Sequence, residues 1–236
     1  MEETFNIQAI ILNRHAFREN DSRVLAYSLE HGKMFLVARG TGSIKSKMAG
    51  HIEPFCLSDL MIVRGRRYNY IGGAKSTNCF FGLKSDLEKL EVAGRSFAIL
   101  NKIIKEHEVD HALFFLINDF LETLSNINKN IDFNLFLHAF ILKLVCRLGY
   151  SPELYSCVVC RKDINPNGNY FDFKKGGLVC KKCDKNKSLT ICEDSIKLLR
   201  FIIKQDFKNI SKLHINKKVS SETIKSIIVF YNYNFK

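Results

Sequence analysis

The chain lacks several of the features that would name a function outright. No run of eighteen apolar residues occurs among its 236 positions, which excludes a helical membrane span. Met1-Glu2-Glu3 is acidic and the apolar stretch Ile7 to Leu12 is short, so no secretory leader is expected and the cysteines are expected in a reducing cytoplasm. A phosphate-binding GxxxxGK[ST] loop is missing: Gly40-Thr41-Gly42 has no lysine where one is needed, and Gly32-Lys33-Met34 has no hydroxyl. Nucleotide hydrolysis is therefore not expected. His107 and His111 stand one helical turn apart without the HExxH register, and Asp110 between them is better suited to start a helix. No serine or cysteine has a histidine set beside it by spacing. These absences describe a binder rather than a catalyst.

The sharpest positive signal is Cys157-Val158-Val159-Cys160, nineteen further residues, then Cys180-Lys181-Lys182-Cys183. Each CxxC turn aims two sulfurs at one point, and Gly168, Gly176 and Gly177 allow a hairpin to carry the second knuckle back onto the first. One structural Zn2+ held by Cys157, Cys160, Cys180 and Cys183 is expected; two disulfides are the competing reading, and a reducing compartment disfavours them. Four thiolates leave no open position for a catalytic water. Cys56, Cys79, Cys146 and Cys192 lie singly in apolar surroundings and read as small buried hydrophobes.

Charge is uneven. The net charge is +12, with 11 basic against 7 acidic residues in 1–80, 8 against 9 in 81–150, and 17 against 8 in 151–236. Two basic ends around a neutral middle suit a polyanion, and nucleic acid is the default polyanion of a cytoplasm. The same excess is also what an AT-biased genome, rich in Lys, Asn and Ile codons, writes on any solvated surface.

Five candidate strands, Ile7–Leu12, Val24–Leu29, Met34–Ala38, Pro54–Val63 and Tyr68–Lys75, fall within about seventy residues. The turn Glu30-His31-Gly32-Lys33 joins the second to the third. So many strands in so little chain suggest a closed five-stranded barrel of the oligonucleotide-binding type over 1–80. From residue 81 onward the period is helical. Ser85-Asp86-Leu87-Glu88 reads as a capping box for a helix to about Lys105, Asp110 caps a second, and Asp132 caps a third that Gly149 and Pro152 stop. Asn126 to Ile131 reads as a polar connector, and the three helices as one bundle. A helix over Ser195–Lys204 and one over Glu222–Tyr233, capped by Ser220, follow the zinc hairpin. The fold class is thus α+β: an N-terminal five-stranded OB-fold barrel (1–80), then an α-helical domain (81–236) with a four-cysteine zinc-binding hairpin (155–185) inserted.

Cations in the barrel gather in two turns. Arg39, Lys45 and Lys47 lie on a Gly/Ser-rich stretch, and Arg64, Arg66 and Arg67 precede Tyr68 and Tyr70. Interleaved cations and rings suit single strands, although each tyrosine taken singly fits the barrel core better.

The assembly resembles the RecO family of bacterial recombination mediators. The resemblance is carried by Ala9-Ile10-Ile11-Leu12 with Arg14 and Glu19, His31-Gly32-Lys33-Met34, Val37-Ala38-Arg39-Gly40 with Ser46, Pro54-Phe55, Leu148-Gly149-Tyr150-Ser151-Pro152, and both knuckles with Gly176-Gly177-Leu178-Val179. It implies a non-enzymatic protein of the cytoplasm and nucleoid that binds single- and double-stranded DNA and anneals complementary strands. It also implies loading of RecA onto DNA coated by single-stranded DNA-binding protein, together with RecR. Arg14 and Arg39 match family positions, and with Lys45, Lys47, Arg64, Arg66 and Arg67 they would form a phosphate-binding face. The family's helical part also captures the acidic, apolar C-terminal tail of single-stranded DNA-binding protein, for which Lys102, Lys105, Lys143 and Arg147 are candidates. Some RecO proteins lack the zinc cysteines, which makes the metal architectural. Lys217 and Lys218, beyond the clear match, read as a solvated loop. The other function classes are a zinc-dependent nucleic-acid-modifying enzyme, which would need a His-x-Glu ahead of Pro-Cys-x-x-Cys that this chain does not have, and an adaptor that binds only proteins.

Overall fold

The computed structural model describes residues 3–127, 131–165, 168–184 and 188–235. The chain divides into two compact units, Met1–Asn126 and Ile127–Lys236.

The first unit begins with a closed barrel in the order β1-β2-β3-β5-β4, built from β1 (Thr4–Phe17), β2 (Asp21–Ser28), β3 (Gly32–Ala38), β4 (Leu57–Val63) and β5 (Asn69–Asn78). Alternation explains its core: Val24 and Ala26, Met34, Leu36 and Ala38, Leu60 and Ile62, and Ile71 all point inward and are buried together. β1 is longer than the apolar run Ile7–Leu12 because it serves two partners. Thr4–Ile10 pair with β4 and Ala9–Phe17 with β2, the latter ladder shifting register between Ile11 and Asn13. β4 starts after Pro54 because Phe55 takes a left-handed turn (φ 70°). Cys56 and Cys79, expected as separate buried hydrophobes, form a disulfide; the pairing Leu57↔Asn78 brings these flanking residues together.

Helices α1 (Phe81–Lys84), α2 (Leu87–Ile103) and α3 (His111–Asn126) complete this unit. The cap of α2 is Asp86, whose carboxylate accepts from the amides of Glu88 and Lys89, and not Ser85, which closes α1. Asp110 caps α3 as expected, its Oδ1 accepting from Leu113 N at 3.1 Å. The segment between α2 and α3 is clamped to the barrel's outer face. Lys33 Nζ donates to the carbonyls of Asn101 (2.7 Å) and Ile104 (2.8 Å), two groups that the end of α2 leaves without helical partners. Burial pushes the Lys33 ammonium below the ordinary lysine range. Tyr27 Oη donates toward the carbonyls of Glu108 and Asp110 and accepts from Asp110 N at 3.2 Å.

In the second unit α4 (Phe133–Arg147) packs with α5 (Glu193–Lys204), α6 (Phe207–Ile210) and α7 (Lys217–Asn234). Phe207 meets Phe136 and Phe140 at ring distances of 5.4 and 6.3 Å. The three helices expected as one bundle are therefore divided: α2 and α3 belong with the barrel, α4 with the C-terminal helices. The connector read over 126–131 lies largely outside the described residues. Asp132 caps α4 through Leu135 N (3.0 Å) and also takes the Ser220 hydroxyl. Ser220 is consequently inside α7 rather than at its start; Asn216 is the cap, accepting from Lys218 N at 2.8 Å, and Lys217 and Lys218 open the helix instead of lying in a loop. Between α4 and α5 stands an antiparallel sheet ordered β7-β6-β8, from β6 (Asn169–Asp172), β7 (Gly177–Cys180) and β8 (Leu189–Ile191). Phe171 of β6 packs on Phe230 of α7.

Gly32 tests the clamp. It holds φ at +65°, and a Cβ there would fall onto the backbone carbonyl of Glu108. Gly32→Ala should lower stability by about 2–4 kcal/mol, from left-handed strain plus overpacking, read as a shift of the urea midpoint.

Candidate nucleic-acid interface and metal centre

Strand register builds one face of the barrel. Arg23 pairs with Val37 and Val37 with Tyr70, so these three outward side chains form a row across β2, β3 and β5. The clamp to α2 and α3 covers the Tyr27 and Lys33 portion of this face; in the row beyond it Arg23 is exposed and Tyr70 half-buried, with Val37 buried between them. Four arginines sit over four rings around it. Arg39 lies 4.1 Å from the Tyr70 centroid, Arg23 4.2 Å from Phe35, Arg67 5.3 Å from Tyr68 and Arg18 5.1 Å from Phe17. Phe17 and Tyr68 meet edge to face at 5.9 Å. Each such contact contributes about 0.5–1 kcal/mol at an exposed site and holds a guanidinium beside a ring. Gly65 has a packing role here, since a Cβ would lie 2.8 Å from the Tyr70 ring. Tyr68 and Tyr70 are thus half-buried on the outer surface, not in the barrel core. The β2–β3 face, flanked by the β1–β2 and β4–β5 loops, is where barrels of this type hold oligonucleotides.

The candidate phosphate ligands separate into groups. Arg39 and Arg67 belong to the cluster, and Arg66 is exposed on the adjoining β4–β5 loop. Arg64 instead pairs with Glu3 at 2.6 Å and leans on Phe5. Lys45 and Lys47 are exposed on the loop that leaves the Arg39 end of β3. That loop is anchored: Gly42 N donates to Asn20 O (2.8 Å), Gly40 N to Asp21 Oδ1 (3.1 Å) and Thr41 Oγ1 to Ser22 Oγ (2.7 Å).

Arg14 is the anchor's centre. Its guanidinium donates to Ser22 Oγ, Ala49 O, Thr41 O and Glu53 Oε1, and its side chain is only 16% exposed. The donors of Arg14 are thereby engaged within the protein, where they tie β1 to the loop carrying Lys45 and Lys47. Sequence reasoning passed over Arg18, Arg23, Phe17 and Phe35; Arg18 lies over its own neighbour Phe17, whereas Arg23 and Phe35 come from separate strands and meet only through register. Phe35 is the one exposed side chain on β3, whose other residues are all buried.

Of the candidate partner residues, Lys102 and Lys105 are exposed in the first unit, while Lys143 and Arg147 belong to α4 in the second. Lys143 Nζ lies 5.6 Å from the Phe207 centroid and 3.5 Å from Ile203 O, an ammonium set against one ring.

The metal centre is local. Tight turns, with Arg161 N donating to Cys157 O (2.8 Å) and Cys183 N to Cys180 O (2.9 Å), curl each knuckle. Val158 N donates to Leu178 O at 2.9 Å, which joins the first knuckle to β7, and β7 ends on Cys180. The four Sγ atoms lie within 4.8 Å of one another, with Cys160 and Cys180 at 3.9 Å. A tetrahedron with metal–sulfur bonds of about 2.3 Å has sulfurs roughly 3.8 Å apart, so the donor set fits. The crowding of the sulfurs splits their acidities. Burial opposes ionisation of Cys157, yet the amides of Cys160, Cys180 and Val159 outweigh it and hold the thiol down to about 6. Hydrogen bonding with Cys180 and the other crowded sulfurs pushes Cys183 up to about 12. Among the described residues this is the one group of three or more His, Cys, Asp or Glu side chains placed to share an ion.

Comparison with known proteins agrees with this architecture. The family model described as recombination protein O N terminal matches residues 1–80, and that described as recombination protein O C terminal matches 84–235. Relatives named DNA repair protein RecO include that of Thermoanaerobacter sp. (strain X514), 29% identical over 94% of this chain and 89% of its own. That of Caldanaerobacter subterraneus subsp. tengcongensis is 27% identical over 93% and 88%. That of Clostridium novyi (strain NT) is 25% identical over 98% and 89%. A basic, aromatic-lined barrel, a helical unit with a four-cysteine centre, and matches to both family models over nearly the whole length together make this chain a member of the RecO family of DNA repair proteins.

Proposed function

We propose that the chain is a non-enzymatic recombination mediator that binds single- and double-stranded DNA without sequence preference and anneals complementary strands. The observation that carries this reading is the set of four arginines poised over four rings on one barrel face. Cations track the phosphate backbone and rings stack on bases, neither of which reads sequence. Neutralised phosphates repel a complementary strand less, so pairing accelerates. We assign this role to residues 1–80, with Arg39, Lys45, Lys47, Arg66 and Arg67 joined by Arg18 and Arg23.

Residues 81–236 then carry the partner contacts. Membership of the RecO family supports action with RecR, displacement of single-stranded DNA-binding protein, and loading of RecA, in the cytoplasm at the nucleoid. Lys143, a cation beside the Phe207 ring, has the chemistry that an acidic, apolar tail needs. We further assign one Zn2+ to Cys157, Cys160, Cys180 and Cys183. All four positions of such a tetrahedron are protein sulfurs, so the ion staples the fold rather than activating water. The enzymatic alternative has no support in this donor set.

With about five phosphate contacts, affinity for single strands should fall with salt at a log–log slope near −3.5. Arg39→Ala with Arg67→Ala should reduce that slope by about 1.4 and weaken all sequences alike at an unchanged melting temperature. A slope near zero in the wild type contradicts the reading. For the metal, purified protein should contain one zinc per chain, and Cys157→Ser should lose it. Chelation should then raise amide exchange in residues 155–165 and 168–184, because structural zinc contributes roughly 10–16 kcal/mol to small sites of this kind.

A further inference from the structure

The zinc knuckles have a surface chemistry of their own. Residues 155–164 form a hairpin held by Ile164 N to Tyr155 O (3.0 Å) and Cys157 N to Lys162 O (2.8 Å). Tyr155 is 63% exposed, and the Arg200 guanidinium lies 4.5 Å from its ring centroid while also donating to Leu154 O. Arg161 and Lys162 follow the first knuckle and Lys181 and Lys182 fill the second; all four are exposed, and the knuckles' sulfurs share one point. Among the described residues none of these four forms a salt bridge.

Arg161 gives a second, independent sign. It holds φ at +60°, a left-handed conformation that glycine adopts without cost and arginine does not. The chain thus keeps a cation where the backbone favours its absence. Asp163 is exposed on the same hairpin, one carboxylate against the cations around it, while the other nearby carboxylates are engaged. The Glu153 carboxylate accepts from the amides of Tyr155 (2.7 Å) and Ser156 (3.0 Å), which hold it ionised, and it faces Arg161 and Arg200. Asp184 accepts from Ser188 N and Oγ. A zinc tetrathiolate is itself anionic and offsets some of the positive charge, but an exposed tyrosine under a guanidinium adds nothing to that balance. It repeats the ring-and-arginine chemistry of the barrel face.

We propose, resting on the DNA-binding reading above, that this hairpin is a second nucleic-acid surface, on which Tyr155, Arg161, Lys162, Lys181, Lys182 and Arg200 hold another single strand. One strand would occupy the barrel of the first unit and its complement the knuckle of the second. Annealing then requires both surfaces, whereas capture of a lone strand requires only the barrel.

The test uses full-length, zinc-loaded protein and the triple variant Arg161→Gly, Lys181→Ala, Lys182→Ala; the glycine relaxes the knuckle while removing its cation. Zinc content is measured first, and one ion per chain shows that the centre is intact. A labelled oligothymidine titration and a stopped-flow annealing assay with complementary oligonucleotides are then compared with wild type. The expected result is single-strand affinity within about threefold of wild type and annealing slowed roughly tenfold or more, with the salt slope of annealing reduced by about 2. Unchanged annealing, or equal losses in capture and annealing, overturns the second surface while leaving the barrel reading in place. Wild-type protein that captures no strand at all overturns both.

Discussion

The grip of Tyr27 and Lys33 on the segment between α2 and α3 sets which part of the barrel's outer face is covered and which is left for the DNA contacts proposed above. A five-stranded barrel presents outward side chains on every strand, and nothing in the barrel itself decides which of them face a ligand. By accepting Lys33 into the carbonyls at the end of α2 and Tyr27 into those before α3, the fold buries one part of the β2–β3 face and leaves another open. The open part carries exposed Arg23 and half-buried Tyr70, with Val37 buried between them. A lysine taken out of water is costly unless its donors are met, and orphaned helix carbonyls are costly in the same way. Here each satisfies the other, so helix and barrel are held together by groups that need partners.

The arginines show how context divides one residue type between structure and function. Arg14 and Arg39 both leave the barrel near the same loop. Arg14 turns inward and has its donors engaged by Ser22, Thr41, Ala49 and Glu53, whereas Arg39 turns outward over Tyr70 and keeps its polar edge toward solvent. The inward arginine fixes the loop that carries Lys45 and Lys47. The four-cysteine centre plays the corresponding part in the second unit. It fixes two knuckles that small strands of three or four residues would not hold on their own.

What the sequence made legible was local. Two CxxC turns identify their four sulfurs because the chemistry lies within each turn, and Asp110 and Asp132 identify two helix starts because a cap reaches only three residues. Five strands and the closure they require were legible from alternation and length. Features that depend on meeting across the fold were not. Arg23 and Phe35 belong to different strands, and only register joins them. Cys56 and Cys79 meet because β4 and β5 pair at their ends. Ser85 and Ser220 both looked like caps; neighbouring Asp86, and Asn216 one helical turn earlier, hold those places, and Ser220 instead bonds Asp132 across 88 residues of chain. The division of the helices between two units was hidden for the same reason. The stripe on α4 is as apolar as that on α3, and nothing in its period says which partner covers it.

The most direct test of the account follows the guanidinium groups themselves during binding. In a spectrum of arginine Nε–Hε resonances, addition of unlabelled oligothymidine should shift Arg18, Arg23, Arg39 and Arg67 together and saturably, while Arg14 stays in place. If Arg14 moves, or if the four outward arginines remain still while the strand binds, the open barrel face is not where this protein holds DNA.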